Sequence, residues 1–384
     1  MARRERACRR SERCRVVRCG PCAPRGIAPA RHHREAQISD HASIEGRRIL
    51  VTGGSGTIGA RLVDRLIALN PGVVRIFGRD ETKQFYQRQH YRDQREIRFL
   101  IGDVRDRDRL VRAMEGIDVV FHCAALKHVE SGEYNPFEAS LTNVTGTQNV
   151  IDASLAADVR TMILTSSDKA ANPTSVMGAT KLLAEKLVTA ATNYRGQHPT
   201  TFASVRFGNV LGSRGSALDL FSRQVAAGAP VTVTDPSMTR FVMSIDRAVE
   251  LMIRAAGIAR GGEVFVFKMP VARLGDLVAA TIAVAAPAAG LDPATVSTVP
   301  IPTRAGEKPY EELMTEDEST RARDVGEMYA VLPSIETLPG LLEAYADAPS
   351  IPVGAYRSDR VAPLSAAEVT RLVAETFGSG WAPA

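Results

Sequence analysis

Cysteine is nearly missing from the body of this 384-residue chain. Cys8, Cys14, Cys19 and Cys22 crowd the first 22 residues, and Cys123 stands alone beyond them. No disulfide framework can be read, so the default compartment is the cytoplasm, and Cys123, set in an apolar run, reads as a small buried residue. Long hydrophobic runs are missing too. None approaches the roughly 20 residues that cross a bilayer, and the sequence predicts a soluble chain without a membrane span. Charge of one sign is missing from most of the length: residues 1–36 hold eleven arginines against Glu5, Glu12 and Glu35, which leaves −3 of the total +5 on the rest. The sequence pI near 9.0 is therefore no argument for a nucleic-acid partner.

The first 45 residues read as a disordered Arg-rich leader or as a start codon assigned too early. Cys19-x-x-Cys22 followed by His32-His33 could be imagined as a zinc site, but the spacing is irregular and apolar neighbours are few. No metal is expected. No apolar stretch follows the arginines, which argues against a signal peptide.

From Arg47 the pattern turns regular, and 45% hydrophobic residues suffice for one large domain or two ordinary ones. Apolar runs at Ile49–Thr52, Val73–Phe77, Ile97–Ile101, Val119–Cys123 and Thr161–Thr165 predict buried parallel strands, with Phe202–Val210 extending the set. Between them Ile58–Leu69, Arg107–Met114, Phe137–Ala156 and Ala179–Asn193 carry helical spacing. Such alternation predicts an α/β fold, a Rossmann-type doubly wound parallel sheet over residues 46–212. After about Ser213 it loosens into short strands (Val231–Thr234, Val264–Phe267) and helices (Ile245–Ala256, Leu274–Ala285). Residues 213–384 read as a smaller α/β substrate-binding lobe over the carboxyl edge of the sheet, with room for some segments to return to it.

Thr52-Gly53-Gly54-Ser55-Gly56-Thr57-Ile58-Gly59 leaves the first strand and opens the first helix. Gly53 permits the tight turn, Gly56 close approach of a pyrophosphate, and Gly59 close packing of helix on strand. The helix N-terminus adds N–H donors and partial positive charge. This is a dinucleotide site. Past the second strand come Gly78, Arg79, Asp80 and Lys83; the absence of a carboxylate at the strand tip and the presence of two cations suit a 2′-phosphate, so NADP is favoured over NAD. Asp103 and Val104 are expected beside the adenine, and Ala124, Ala125 and Lys127 along the nicotinamide side.

Ser167, Asp168 and Lys169 follow the fifth strand, and Met177 and Lys181 share a face of the next helix. The stretch resembles the active site of a short-chain dehydrogenase/reductase, in which a Tyr would stand where Met177 is. Methionine carries no proton. The acid and amine beside Ser167 are the parts for general acid–base elimination. Lys169 must be neutral to act as base, through burial or the nearby Lys181, and Asp168 must carry a proton to act as acid; the pair can share one. Lys181 is expected to bond the nicotinamide ribose.

Further motifs are Gly78-Arg-Asp-Glu81, Gly102-Asp-Val-Arg-Asp106, Ala124-Ala-Leu-Lys-His-Val129, Glu133-Tyr-Asn-Pro136 and Thr142-Asn-Val-Thr-Gly146. Arg206-Phe-Gly-Asn-Val-Leu-Gly-Ser213, Met238-Thr-Arg-Phe-Val-Met243 and Gly306-Glu-Lys-Pro-Tyr-Glu-Glu-Leu313 continue the series. Together they resemble the CapD-like polysaccharide-biosynthesis family of extended short-chain dehydrogenases, the UDP-N-acetylglucosamine 4,6-dehydratases, and Met177 matches its Met-bearing branch. The resemblance implies a UDP-sugar substrate and a tightly held nicotinamide regenerated in each turnover. It makes Asp168 and Lys169 the acid and base, and Asn209 and Arg240 contacts to the nucleotide sugar, with Lys127 and Ser213 lining the same pocket. It also implies a homo-oligomer. Two other readings stay open: a nucleotide-sugar epimerase or dehydratase/5-epimerase of the same superfamily, and a non-catalytic NAD(P)-binding regulatory protein.

Overall fold

Strands as apolar as these cannot face water on either side, and the fold covers both faces of their sheet. The computed structural model describes residues 43–303, 306–335 and 340–378; the leader and its Cys/His cluster fall outside the described residues. Strands β1 (Arg48–Thr52), β2 (Val73–Gly78), β3 (Ile97–Ile101), β4 (Val119–His122), β5 (Thr161–Thr165) and β6 (Thr201–Arg206) run parallel in the order β3-β2-β1-β4-β5-β6. This is the doubly wound arrangement, with its switch point between β1 and β4. The chain continues through β7 (Asn209–Val210), β8 (Val231–Val233), β9 (Thr239–Met243), β10 (Val264–Phe267), β11 (Val271–Arg273), β12 (Thr298–Pro300), β13 (Glu312–Met314), β14 (Ala322–Asp324), β15 (Met328–Val331) and β16 (Tyr356–Arg357). Of these, β10 joins β6 in parallel and the β14–β15 hairpin pairs antiparallel beyond it, giving a sheet of nine strands among the described residues.

The main helices are α1 (Thr57–Ile67), α2 (Glu81–His90), α3 (Arg107–Met114), α4 (Gly146–Ala156), α5 (Val176–Tyr194), α6 (Ala217–Ala226), α7 (Ile245–Ile258), α8 (Leu274–Ala288) and α9 (Ala366–Gly378). Alternation along β1 sorts them into layers. Ile49 and Val51 pack with Leu62 and Leu66 of α1 and Met252 of α7, whereas Leu50 packs with Leu110 of α3, Val150 of α4 and Val188 of α5. Each of these fully buried side chains contributes about 1.5–3 kcal/mol. Helices α6, α8 and α9 contribute to two further apolar clusters, one holding Phe221 and Leu274 and the other Leu277 and Val369. No described helix is long and apolar enough to cross a membrane.

Three expectations change. The helix over Phe137–Ala156 is interrupted by a π-turn at Leu141–Thr145, which turns Asn143 inward to bond the main chain of Leu126 at both N (2.8 Å) and O (3.0 Å). The strand over Phe202–Val210 breaks at Phe207-Gly208, where a Cβ on Gly208 would lie 2.8 Å from that of Phe241. Helix α2 was not signalled by any apolar stripe; it starts because the Asp80 side chain accepts from Lys83 N.

Candidate active site

The carboxyl ends of β1, β4, β5 and β6 meet at one edge, and the chain there is shaped by what cannot fit. Gly53 has φ +67°, and a Cβ on it would come within 2.8 Å of Ala124 N; one on Gly59 would lie 2.3 Å from Gly53 O. Gly56, before α1, caps it with no side chain, so the first N–H groups of that helix point out of the turn. The cradle therefore fits a dinucleotide pyrophosphate on its own geometry. Ser55 is buried, Ile58 packs against the core, and Ala124 N donates to Thr52 Oγ1 at 3.3 Å, holding the β4 loop over the turn. Gln87 of α2 donates to Gly54 O at 2.9 Å and braces the turn from behind.

Arg214, unassigned from sequence, lies across this turn: its Nη2 is 3.2 Å from Ser55 O, and its N and Nε are each 3.4 Å from Thr57 Oγ1. Lys127 Nζ donates to Arg214 O at 2.5 Å, tying the β4 loop to the Ser213–Ser216 turn. The residues past β2 mostly bond one another. Lys83 Nζ lies 2.5 Å from Asp80, and Asp103 accepts from Arg105, while Arg79 stays 58% exposed and reaches Asp103 only at 3.7 Å. Val104 is buried, and its carbonyl accepts from Asn149.

At the end of β5 the reaction centre is compact. Ser167 Oγ donates to Asp168 Oδ1 at 2.7 Å, and Lys169 Nζ lies 3.0 Å from Oδ2 and 3.2 Å from Oδ1. The Asp168 side chain is 5% exposed and that of Lys169 37%. Lys181, buried on α5, donates from Nζ to Thr165 O at 2.8 Å, and burial pulls its amine down to about 8 against the opposing pull of Cys123 and Glu185. Met177 is buried in the first turn of the same helix, against Gly132.

The expectation of a depressed Lys169 is not met. Burial does lower its proton affinity, but the Asp168 and Glu311 carboxylates more than reverse this and hold the amine above its ordinary value. Glu311 is a second site residue, after Arg214, that sequence reasoning missed, although it sits inside the Gly306–Leu313 motif. Asn209 Nδ2 donates to both its oxygens (2.7 and 2.8 Å), Phe241 N donates at 3.0 Å, and Arg240 Nε lies 3.7 Å away. Asn209 and Arg240 also line a cavity of about 170 Å³ with Phe221, Val233, Leu274 and Glu307. Arg240 Nη2 pairs with Glu307 at 3.2 Å.

Residues 49–333 match the family described as polysaccharide biosynthesis protein. The chain belongs to this family. Three family relatives span comparable lengths. An uncharacterized membrane protein of Methanocaldococcus jannaschii is 50% identical over 75% of this chain and 86% of its own length. The UDP-N-acetylglucosamine 4,6-dehydratase (inverting) of Campylobacter jejuni is 40% identical over 76% and 84%, and the UDP-glucose 4-epimerase of Rickettsia canadensis 39% identical over 74% and 82%. The crystal structure of Pen from Bacillus thuringiensis superposes with a TM-score of 0.81 at 44% identity, covering 87% of this chain and 98% of Pen. The family lies within the extended short-chain dehydrogenases, among nucleotide-sugar dehydratases and epimerases.

Proposed function

We propose that this chain is a UDP-N-acetylglucosamine 4,6-dehydratase that works with a bound nicotinamide dinucleotide, NADP in preference to NAD. The observation that carries the reading is the buried Asp168, bonded at once by Ser167 and Lys169, with a methionine that cannot move protons buried in the first turn of the helix that follows. The 40% identity to a dehydratase of that specificity supports the substrate, and the exposed Arg79 past β2 supports NADP.

Bound at the glycine turn, the nicotinamide would take the hydride from C4 of the sugar and return it to C6. The protein moves the protons. Asp168 takes the proton of the C4 hydroxyl and delivers it to the departing C6 oxygen, which leaves as water. Lys169 removes the C5 proton and returns one to C5 at the end, so the sum is loss of one water. When Asp168 accepts its proton, the anion nearest Lys169 disappears and the amine is eased towards its neutral, basic form. Lys181, reaching from α5 to Thr165 O at the end of β5, holds the nicotinamide ribose. The cavity beside Asn209 and Arg240 takes the nucleotide, with the guanidinium towards the diphosphate. Epimerisation at C4, the activity of the Rickettsia relative, is disfavoured by the Asp168–Lys169 pair, an acid and a base for elimination that simple inversion at C4 does not call for. A non-catalytic role is disfavoured by the buried Asp168 carboxylate held against Lys169, which a silent site has no need to keep.

The test is incubation with UDP-N-acetylglucosamine in deuterated water, read by mass spectrometry and proton NMR. Loss of one water with deuterium at C5 is expected; a sugar recovered intact and undeuterated would sink the reading.

A further inference from the structure

Glu311 has no task in that scheme, yet it is built into the reaction centre more firmly than any substrate contact needs. Its side chain is 10% exposed, and its oxygens take the Asn209 amide, the Phe241 N–H and the Arg240 charge. Its own N–H donates to Ser358 Oγ at 2.9 Å, and its carbonyl accepts from Ser358 N at 2.9 Å. The flanking residues grip the loop that follows Lys169: Lys308 Nζ donates to Asn172 O at 2.5 Å, and Asn172 Nδ2 reaches Glu312 at 3.4 Å. The charged groups facing the carboxyl are Asp168 and Lys169 after β5 and Arg240 on β9; Glu307 pairs with that arginine, and Lys308 and Glu312 share Glu311's own segment.

Burial and the Asp168 charge push Glu311 up to about 7, against the pull of Lys169 and Arg240 and the Asn209 hydrogen bond. Lys169 in turn is held above its ordinary value by Asp168 and Glu311, against burial. Strand β13, which starts one residue after Glu311, packs on the Asp168–Ala170 turn, so the Glu311 carboxyl and the Lys169 amine belong to one site.

We propose that Glu311 is a positioning residue of the elimination: its buried charge, fixed by Asn209, Phe241 and Arg240, sets the pH at which Lys169 gives up its proton and becomes a base. The proposal rests on the dehydratase reading for its consequence, but the coupling itself does not.

Glu311→Gln keeps the size and an oxygen for Asn209 while deleting the charge, and Glu311→Asp keeps the charge. Lys169 is titrated by carbon-13 NMR of the reductively methylated full chain, with Lys169→Arg identifying its resonance. On unmodified protein, kcat with UDP-N-acetylglucosamine is followed from about pH 5.5 to about pH 11. In E311Q the Lys169 resonance is expected to titrate at lower pH than in the wild type, and the acid limb of kcat to move down with it. E311D should leave both where they were. A Lys169 titration that stays in place in E311Q overturns the proposal, whether or not the sugar is dehydrated. A shifted titration in a wild-type background that turns over no UDP-sugar supports the coupling and overturns the dehydratase reading alone.

Discussion

Replacing Arg206 by methionine tests how far water is kept from the centre of this fold. Arg206 is 0% exposed on β6, between Glu185 of α5 and Glu318 of the segment after β13. It donates twice to each carboxylate, at 2.5 and 3.0 Å to Glu185 and at 2.9 and 3.0 Å to Glu318, and once to Leu313 O at 3.0 Å. Five bonds from a charged donor, at roughly 1.5–3 kcal/mol each, set a ceiling of about 7–15 kcal/mol. Methionine refills most of the volume, and the orphaned acids can take up protons, so the expected loss at neutral pH is ~3–5 kcal/mol. Urea unfolding at pH 7, read by far-UV circular dichroism, measures it. The deficit should shrink at pH 4, because protonation neutralises the two acids left behind. The wild type moves the other way. Burial opposes, but Arg206 holds the Glu318 carboxyl below its usual value. That stability is fully present above the unfolded value and is lost as pH falls through the folded one. A triple substitution of Arg206, Glu185 and Glu318 by apolar residues should be far milder than R206M. A loss below about 1 kcal/mol in R206M would refute the claim that the triad is dry.

Asp168→Asn should abolish water loss while leaving dinucleotide binding intact; fluorescence titration with NADPH and product analysis separate the two, and residual turnover near wild type would remove Asp168 from its role. Arg79→Ala should weaken NADP binding by about tenfold and leave NAD unchanged, as loss of one 2′-phosphate contact requires; equal weakening of both cofactors would contradict the preference. Buried His122, between Thr52 and Thr147, is pushed down from 6.5 to about 3 by burial and by Lys181. Its contribution is complete above the unfolded value and is lost below it at about 1.4 kcal/mol per pH unit. His122→Gln should therefore flatten the fall in urea midpoint between pH 6.5 and pH 5; an unchanged slope would locate that sensitivity elsewhere.

How much of this was legible follows from how far apart the interacting residues lie in the chain. The glycine turn could be read because its reasons are local: Gly53, Gly56 and Gly59 serve a turn and the helix it opens. Ser167, Asp168 and Lys169 are neighbours, and Lys181 follows by helical spacing. Glu311 was within a motif but carried no sign of its purpose, because Asn209 and Phe241 reach it only once β7, β9 and β13 have come together. Asn143 was hidden by a π-turn, which leaves the apolar spacing of the surrounding helix intact while changing which residue faces inward. Helix α2 lacked the apolar stripe that periodicity detects, since only Gln84 of its ten residues is buried. Arg214 and its loop could not be placed from sequence, because their contacts are to a turn 157 residues earlier.

The return of β10, β14 and β15 to the main sheet has a consequence for anyone wishing to graft a new sugar specificity onto this chain. The two halves are not interchangeable modules. The span from Glu311 through Glu318 to β15 supplies partners for Asn209, Arg206 and β10 in turn, so it belongs to the catalytic half by contact although it lies far away in sequence. A chimera joined near residue 213 would strip the guanidinium of Arg206 of one of its two acids and leave the edge of β6 bare. Exchanges that preserve function should instead be confined to the walls of the cavity on α6, β8 and α8, which carry none of the triad residues and no strand of the main sheet.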